Sequence, residues 1–392
     1  MRKLIAVTVV LLMLVPLFSG CGNKNTVSND KVIKIGVFEP TTGYSASGGK
    51  KELLGIKYAN SVTPTVDILG ETYNIELVYS DNKSNPESAV TAAEELLKSD
   101  ISLAIGSYGS NVSIAASDTF KNAGIPIIGA SCTNIYVTMG NDHYYRICYE
   151  DPFQATTLAS FASEKFGANK AYLLGEAGNE YDQGLIVYFE QEFIARGGQV
   201  LKDSFPEHNS DFTTYLKKAQ EFEADVIFIP VSIGYATQII YQATQLNLEI
   251  PILGSDTLDD NKVLEAVKGT SVDLYVSSHY NEGGNAEFDS KLKKYINSNY
   301  ELLDLNGGND TISAVTVLGY DAYNIAIEAI KKANASDPAA IKLALSNITY
   351  SGVSGDIVFD SVDGDANRST AYIIKADPNT VAWTLEKLQE IN

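Results

Sequence analysis

Small and hydroxyl-bearing residues follow two neighbouring β-branched segments in the first third of the chain. One set is Gly106 to Asn111 (GSYGSN), and the other is Ala130 to Thr133 (ASCT). Small residues let a ligand approach the backbone, and hydroxyls and free N–H groups at a helix start can bind an anionic group such as a carboxylate. For Ser110 or Ser131 alone, a role as helix cap or turn residue is the better interpretation. Their occurrence together at adjacent strand ends favours a binding site.

Polar residues also end two apolar segments in the second half of the chain. Ser232 and Ile233 follow one of them, and Gly254 to Asp256 (GSD) ends another. Open α/β sheets bind ligands at the carboxyl ends of their strands, so Ser232 and Asp256 are candidates as well. Asp256 is equally suited to cap a helix beginning near Leu258, and spacing alone does not separate the two roles.

The sequence lacks the motifs of catalysis, nucleotide binding and metal binding. Gly43 to Lys51 (GYSASGGKK) resembles a P-loop, but its lysine comes one place late and Lys51 stands where a serine or threonine should bind magnesium. No G-x-S-x-G, H-E-x-x-H or G-x-G-x-x-G motif occurs, and the three histidines are far apart. The acidic turn Asp360 to Asp365 lacks the spacing of a calcium loop and is better interpreted as a hairpin turn. We therefore predict no catalytic residue, no cofactor and no metal site.

Composition and charge narrow the class of protein further. The chain has 392 residues, of which 45% are apolar and 20% charged, as in an ordinary packed protein. Single cores stop growing near about 250–300 residues, so two lobes are expected. The net charge of -20, from 29 basic and 49 acidic residues, argues against nucleic acid as a partner. Three cysteines in a chain of this length do not make a disulfide framework.

The N-terminal segment does not belong to the fold. Arg2 and Lys3 precede an apolar run from Leu4 to Phe18 that ends in small residues, which is typical of a secretory signal peptide over residues 1–20. The rival interpretation is an uncleaved anchor, although the run is short for a membrane span. Phe18 to Cys21 (FSGC) resembles a bacterial lipobox, whose cysteine is lipidated and begins the mature chain. Residues 21–31 would then form a flexible tether that holds the folded part outside the cell, next to the membrane.

Strand and helix patterns alternate from Val32 onward, which predicts a parallel α/β sheet. The first-half strands are predicted over Val32–Phe38, Asn74–Ser80, Ser102–Ser107 and Ile125–Ala130, with helices over Lys51–Ser61, Pro86–Lys98 and Val112–Asn122. The pattern restarts after Tyr144, with strands predicted over Lys170–Leu174, Asp225–Val231, Ile250–Gly254 and Val272–Ser278. The sequence therefore predicts two similar α/β lobes in tandem.

The region after Tyr280 has a different order of elements. Helices are predicted over Ala286–Tyr300, Ile312–Ala333 and Pro338–Ser346, and strands follow over Asp356–Asp360 and Ala371–Lys375. We infer that the chain returns to the first lobe here and then crosses a last time to the second. The expected lobes are residues 32–147 plus 281–368 and residues 148–280 plus 369–392.

Seven segments form an ordered set of motifs across the mature chain. They are Ile33–Asn60, Ala104–Asp118, Gly124–Asn134, Glu180–Gly184, Pro251–Asp256, Leu318–Tyr323 and Ser351–Asp360. No single motif is unique, but in this order and spacing they resemble the leucine/isoleucine/valine-binding protein family. These are periplasmic binding proteins with a type I fold that feed amino acids to ABC transporters.

The resemblance implies a fold, a function and partners. The fold is α/β, with two tandem doubly wound parallel-sheet lobes joined by three crossover strands. The function is that of an extracytoplasmic solute-binding lipoprotein, not an enzyme, which binds an amino acid between two closing lobes and delivers it to the permease of an ABC importer. Leucine, isoleucine or valine is the first expectation, and an aromatic or small polar amino acid, a non-amino-acid ligand or a sensor role are the alternatives. We expect a monomer that meets the membrane through its N-terminal lipid.

The resemblance also assigns roles to residues. Ser110 corresponds to the serine that binds the ligand carboxylate, while Ser131 and Thr133 correspond to the pair that contacts carboxylate and ammonium. Asp256 stands where the family has its acidic residue for the α-ammonium, which is glutamate in the best-known members. Tyr181 corresponds to a tyrosine of the pocket.

The side-chain end of the pocket departs from the family. Gly48 stands where the family often has an aromatic residue. Ser232, or Ile233 in another alignment, stands where a second-lobe tyrosine closes on the ligand. We expect a remodelled pocket in which Tyr44 fills part of the space.

Residues of the two first-lobe loops complete the expected ligand set. Tyr108 and Gly109 flank the ligand in the resemblance, and Cys132 lies inside the second loop. Cys148 lies near the first crossover. A disulfide between the two cysteines is an alternative to two ordinary buried thiols, which we favour.

Overall fold

Strands and helices alternate throughout residues 31–359 and 364–390, the parts of the chain that this computed structural model describes. The strands form two large sheets and one separate hairpin, and helices cover both faces of each large sheet. This arrangement confirms the predicted fold class of two doubly wound α/β lobes. The predicted signal peptide, Cys21 and residues 22–30 of the predicted tether lie outside the described residues. Within the described ranges, no helix has both the length and the apolar character that crossing a membrane requires.

The first-lobe sheet has six strands, which are Val32–Glu39 (β1), Thr65–Ile68 (β2), Glu71–Asp81 (β3), Leu103–Ile105 (β4), Ile127–Gly129 (β5) and Tyr144–Arg146 (β6). Their order across the sheet is β2-β3-β1-β4-β5-β6, and all pairs are parallel except β2 with β3. The carboxyl ends of β1, β4 and β5 therefore lie side by side at one edge of the sheet.

The second-lobe sheet has seven strands, which are Lys170–Glu176 (β7), Gln199–Phe205 (β8), Val226–Ile229 (β9), Ile252–Gly254 (β10), Leu274–Ser278 (β11), Thr370–Asp377 (β14) and Ala382–Glu390 (β15). Their order is β15-β14-β11-β10-β9-β7-β8, with β14 and β15 antiparallel to their neighbours. The hairpin consists of Thr349–Gly352 (β12) and Gly355–Val358 (β13).

Seven of the twelve described α-helices pack in the first lobe and five in the second. The first-lobe helices are Ala46–Val62 (α1), Pro86–Leu97 (α2), Ser110–Asn122 (α3), Ala286–Ile296 (α9), Tyr300–Leu305 (α10), Ala314–Ala333 (α11) and Pro338–Leu345 (α12). The second-lobe helices are Asp151–Phe166 (α4), Glu180–Ala195 (α5), Thr213–Glu221 (α6), Ile233–Gln245 (α7) and Asn261–Val267 (α8).

The central strands of each sheet are buried on both faces, which explains why they are almost continuously apolar. In the first lobe, Ile35 and Ile105 pack against α1 and α11, whereas Ala104 and Ile127 pack against α2 and α3. Successive side chains of a strand point to opposite faces, so one short strand such as β4 contributes to both cores. Burial on both faces holds the strand ends, and the loops that follow them, in fixed positions.

The chain passes between the two sheets three times. Residues 147–150 link β6 to α4, residues 279–285 link β11 to α9, and the segment after β13 leads to β14. Arg146 fastens this third passage to β6, because its backbone N–H donates to the Gly364 carbonyl at 3.0 Å and its Nε–H donates to Asp365 at 2.8 Å.

Helix α1 begins at Ala46, five residues before the predicted start at Lys51. Its first turn contains Gly48 and Gly49, and glycine is a poor helix former. Both pack too closely for a side chain, because a Cβ on Gly48 would lie 2.2 Å from the Tyr108 ring and a Cβ on Gly49 would lie 2.2 Å from the Pro40 carbonyl oxygen. The glycines therefore serve close packing within a helix, and the predicted start was wrong.

The predictions after Tyr280 differ from the structure in several places. The helix predicted to end at Tyr300 ends at Ile296, and α10 begins after Asn299, whose side chain accepts a hydrogen bond from the Leu302 N–H at 2.9 Å. The strand predicted over Asp356–Asp360 corresponds to β13, which forms the separate hairpin with β12, and β12 was not predicted. Strand β15 was not predicted, because it is a half-exposed edge strand without a continuous apolar run.

Candidate functional site

Two loops at the ends of β4 and β5 form the first-lobe side of the site. The two strands are paired in parallel, so the loops that follow them are neighbours. Ser110 begins α3, and its Oγ accepts a hydrogen bond from the Asn134 N–H of the second loop at 3.2 Å. Gly106 has a φ of 130°, and a Cβ there would lie 2.1 Å from the Phe38 carbonyl oxygen. Only glycine fits at this close approach, which holds the first loop against β1.

A cavity of about 260 Å³ lies between these loops and the second lobe. Seven of the residues predicted to bind ligand line it, namely Tyr44, Tyr108, Gly109, Ser110, Ser131, Tyr181 and Ser232. Cys132, Thr133 and Asp256 do not. Pockets for drug-sized ligands begin near about 300 Å³, so this cavity suits a smaller molecule.

Ser110 and Ser131 present opposite hydrogen-bonding character to the cavity. Ser110 accepts the Asn134 N–H, which leaves its hydroxyl proton available to donate to a ligand carboxylate. Ser131 donates its hydroxyl proton to Glu52 Oε2, which leaves its lone pairs available to accept from a ligand ammonium or hydroxyl. The same residue type therefore has two different roles in this wall.

A buried pair of glutamates supports both loops from below. Glu39 ends β1, and its Oε2 accepts the Tyr108 N–H at 2.8 Å, while Glu52 of α1 accepts from Ser131. Both carboxyl groups are buried. Burial first, and then the charge of Glu52 and a hydrogen bond to it, raise the pKa of Glu39 well above its ordinary value. Burial beside a second carboxyl group therefore favours the protonated form of Glu39.

Asp256 lies directly behind Tyr181. Its side chain is 3% exposed, and its Oδ1 accepts from the Tyr181 hydroxyl at 2.6 Å and from Gln154 Nε2 at 2.6 Å. Its Oδ2 lies 3.3 Å from His279 Nε2. Burial acts to raise the pKa of Asp256, but the hydrogen bonds and the interaction with His279 outweigh burial and lower the pKa. Burial lowers the pKa of His279, so we assign a neutral imidazole and a carboxylate held by hydrogen bonds.

Cys132 and Thr133 lie beneath the cavity wall. The Cys132 thiol lies in the apolar core between the sheet, α2 and α3, 4.0 Å from the Tyr144 hydroxyl, so it faces away from the ligand space. Cys132 and Cys148 are both free thiols, as we favoured. Thr133 is fully buried, and its hydroxyl makes no hydrogen bond.

Tyr44 closes the outer end of the cavity. Its ring stacks on that of Tyr235 with 6.1 Å between the centroids, and its hydroxyl contacts His208 Nδ1 and lies 3.4 Å from Glu207 Oε1. Tyr235 in turn donates its hydroxyl proton to Glu176 Oε1 at 2.9 Å, and Glu176 lines the cavity. The outer end is therefore both aromatic and acidic.

Direct contacts between the lobes show a closed arrangement. The Glu180 N–H of the second lobe donates to Asn111 Oδ1 at 2.9 Å, and its carbonyl oxygen accepts from Asn134 Nδ2 at 2.9 Å. Lys51 of α1 is 1% exposed and forms an ion pair with Asp260, which precedes α8. Hydrogen bonds and an ion pair therefore join the two lobes.

Comparison with known proteins identifies the family. The family model described as periplasmic binding protein matches residues 32–380. This chain belongs to the periplasmic binding protein family. This periplasmic binding protein resembles the Leu/Ile/Val-binding protein homolog 2 of Brucella abortus. The two sequences are 24% identical over 345 residues, which cover 86% of this chain and 88% of the relative.

Solved structures resemble this periplasmic binding protein over most of its length. The leucine binding protein LivK of Thermotoga maritima has a TM-score of 0.80 and 28% identity, covering 91% of this chain and 99% of that one. A solute binding protein of an ABC transporter from Rhodopseudomonas palustris, in complex with 3,4-dihydroxybenzoic acid, has a TM-score of 0.77 and 21% identity, covering 92% and 97%. The second likeness shows the shared fold alone.

Several residues of the site were not predicted from the sequence. Glu39, Glu52 and Lys51 are charged residues in or beside a strand and a helix, where a solvated position is the ordinary expectation. Their burial depends on the packing of α1 under the two loops, which no local pattern shows. A weak signal was present, because Glu39 ends a strand otherwise buried along its length.

Proposed function

We propose that this protein is the extracytoplasmic solute-binding component of an ABC importer and that it binds an α-amino acid in the cavity between its lobes. The observation that carries the proposal is the opposite character of two parts of the site. Ser110 and the N–H groups at the start of α3 suit a carboxylate, whereas Ser131, with the buried carboxylate of Asp256 behind Tyr181, suits an ammonium group. An α-amino acid carries both groups on one carbon atom.

The mechanism follows from two lobes joined by three crossover segments. The ligand carboxylate docks on the first lobe, and the second lobe then swings to bring Tyr181 and Asp256 toward the ammonium. Interlobe contacts such as those of Glu180 and the Lys51–Asp260 pair form in the closed arrangement. The closed protein presents a surface to the permease that the open protein does not.

A branched-chain amino acid is the ligand that we test first. The leucine and Leu/Ile/Val binding proteins named among the relatives support it, as do the apolar side chains of Val112 and Ile233 in the cavity lining. One methylene is worth only about 0.8 kcal/mol, so volume alone separates leucine from valine poorly. The aromatic and acidic outer end, with Tyr44 and Glu176, favours an aromatic or polar amino acid as the second candidate.

We further propose that signal cleavage leaves Cys21 as a lipidated N-terminus and that residues 22–31 tether a monomer to the outer face of the membrane. The proposed lobes are residues 32–147 plus 281–368 and residues 148–280 plus 369–392, which the assignment of strands to sheets supports. Loss of protein from the membrane fraction in a Cys21→Ser variant would support the anchor, and unchanged fractionation would contradict it.

Calorimetric titration tests the proposed ligand class. L-leucine, L-isoleucine, L-valine, L-phenylalanine and L-serine are titrated into the purified protein, with 4-hydroxybenzoate as a carboxylate that lacks an ammonium group. We expect saturable binding of at least one amino acid and no binding of 4-hydroxybenzoate. Binding of the aromatic acid without any amino acid would contradict the proposal and favour the alternative of a non-amino-acid ligand.

A further inference from the structure

The outer end of the cavity contains a carboxylate whose partners are all neutral. Glu176 ends β7 and lines the cavity. Its Oε1 accepts from the Tyr235 hydroxyl at 2.9 Å, and its Oε2 accepts from Asn179 Nδ2 at 3.1 Å. Within the described residues, no lysine, arginine or histidine forms an ion pair with Glu176. A ligand in the cavity therefore meets a carboxylate that the protein does not neutralise.

The second lobe fixes Glu176 in this position. The Glu176 N–H donates to Asp182 Oδ2 at 2.8 Å, and its carbonyl oxygen accepts from Gln183 Nε2 at 2.8 Å. Tyr235, which donates to the carboxylate, accepts the His208 N–H at 3.0 Å. Backbone and side chain are both anchored, so the carboxylate does not have to be ordered by the ligand.

Two polar groups in the same wall of the cavity have an atom without a hydrogen-bond partner. Asp182 is 1% exposed and belongs to the cavity lining, and its Oδ1 makes no hydrogen bond. The Ser232 hydroxyl oxygen is buried and also makes none, although Ser232 precedes α7 and could cap it. Buried polar groups of native proteins are normally hydrogen-bonded. The second-lobe wall therefore has hydrogen-bonding capacity that the protein itself does not use.

The charges of the outer end favour a cation. Burial raises the pKa of Asp182 well above its ordinary value, so Glu176 and Glu207 supply the negative charge of the lining. Glu207 has His208 Nε2 at 3.7 Å from its Oε1, whereas Glu176 has no such neighbour. Lys83 is the only basic residue in the described lining, where it is exposed on the first-lobe side without an ion pair to Glu176. The second-lobe part of the lining is therefore acidic and has no basic residue of its own.

An aromatic ring borders the same carboxylate. Tyr44 of the first lobe lines the cavity and stacks on Tyr235, the donor to Glu176. The face of a tyrosine ring attracts a cation that lies within about 6 Å of the ring centroid. An apolar ligand side chain at this end would strip water from Glu176 without supplying a donor, which is unfavourable. A cationic side chain would replace that water with a charge-assisted hydrogen bond.

We propose that Glu176 is the specificity-determining residue of the cavity and that it binds a cationic nitrogen at the end of the ligand's side chain, an ammonium or a guanidinium group. The carboxylate accepts the charge-assisted hydrogen bond, Tyr44 covers the cation, and the Ser232 hydroxyl accepts a further N–H. This inference rests on the proposed function and narrows its second candidate, a polar amino acid, to a basic one.

The test pairs each basic amino acid with a neutral analogue of similar length in calorimetric titrations at pH 7. L-arginine is compared with L-citrulline, and L-lysine with L-norleucine. The proteins are wild type, Glu176→Gln and the control Glu265→Gln. Glutamine keeps the size of the side chain and an acceptor for Tyr235 but removes the charge. Glu265 is a second-lobe glutamate of α8 that is 55% exposed, paired with Lys268 and absent from the cavity lining.

Wild type should bind arginine or lysine at least about tenfold more tightly than its neutral analogue, because only the basic ligand makes a hydrogen bond between charged groups. Glu176→Gln should weaken binding of the basic amino acid by about tenfold and leave binding of the analogue nearly unchanged, so that the preference disappears. Glu265→Gln should keep the preference. A merely structural role of Glu176 would instead weaken binding of both members of a pair alike.

The wild-type comparison needs no variant and therefore stands even if Glu176→Gln fails to fold. Equal binding of a basic amino acid and its analogue by wild type, or an unchanged preference in Glu176→Gln, would overturn the role of Glu176. Binding of leucine without arginine or lysine would also overturn it, while leaving the proposed function intact. Failure of every standard amino acid to bind would overturn the proposed function and this inference with it.

Discussion

Replacing Asp256 with alanine should weaken amino-acid binding by about 3 kcal/mol or more, which is over a hundredfold in Kd. The magnitude follows from burial and charge. Asp256 is 3% exposed and receives three hydrogen bonds, and its neutral neighbour His279 does not cancel its charge. The carboxylate can therefore act with full charge on a ligand ammonium. Removing one partner of a buried ion pair typically costs about 3–5 kcal/mol. We expect a loss at the lower end of this range, because the ammonium keeps other acceptors in the site, such as Ser131.

Calorimetric titration of the bound amino acid into wild type and Asp256→Ala measures this loss directly. Asp273→Ala is the matched control, because Asp273 is a second-lobe aspartate that is 38% exposed and paired with Lys375 on the sheet. The control should bind as wild type does. A loss of less than tenfold in Asp256→Ala, with the variant folded in thermal unfolding, would refute the placement of Asp256 at the ammonium.

Three further variants test other parts of the account. Lys51→Met should lower the free energy of unfolding by about 3 kcal/mol, because it leaves the Asp260 carboxylate buried and unpaired. Urea unfolding should show partial recovery of stability when Asp260→Asn is added. A Lys51→Met variant as stable as wild type would contradict the buried pair. Gly48→Ala places a Cβ 2.2 Å from the Tyr108 ring, so it should lower the free energy of unfolding by about 1–3 kcal/mol. It should also weaken ligand binding as the ring is pushed into the cavity, whereas unchanged thermal unfolding and unchanged titrations would show that the wall yields. Glu39→Gln should flatten the pH dependence of thermal stability. The raised pKa of Glu39 contributes stability that is fully present below the ordinary value of 4.5 and is lost as pH rises. Equal slopes in both proteins between about pH 5 and 8 would argue against a buried proton.

Much of the fold follows from the sequence because its strands are short, apolar and separated by helices of ordinary length. Segments such as Val32–Phe38 are buried on both faces and carry a strong signal. The edge strand Ala382–Glu390 is half exposed and carries almost none. The start of α1 was predicted too late. A glycine that permits close packing, such as Gly48 or Gly49, cannot be told from a loop glycine until the residues around it in space are known.

Spacing along the chain predicted the site residues that directly follow strand ends. Ser110 and Ser131 follow strand ends and line the cavity, so their position in the chain indicated their position in space. Glu39, Glu52 and Asp151 are buried carboxyl groups whose surroundings come from distant parts of the chain. Local spacing says nothing about such burial, and only the packed structure brings Glu52 of α1 to the Ser131 hydroxyl.

Whether the cavity holds an α-amino acid is tested most directly by thermal unfolding of the purified protein with each of the twenty standard L-amino acids. A ligand at 100 times its Kd should add about 2.7 kcal/mol, which raises Tm by a few degrees. We expect such a shift for one or a few amino acids and none for the corresponding 2-hydroxy acids at the same concentration. Equal shifts with the amino acid and its hydroxy analogue, or no shift with any amino acid, would contradict it.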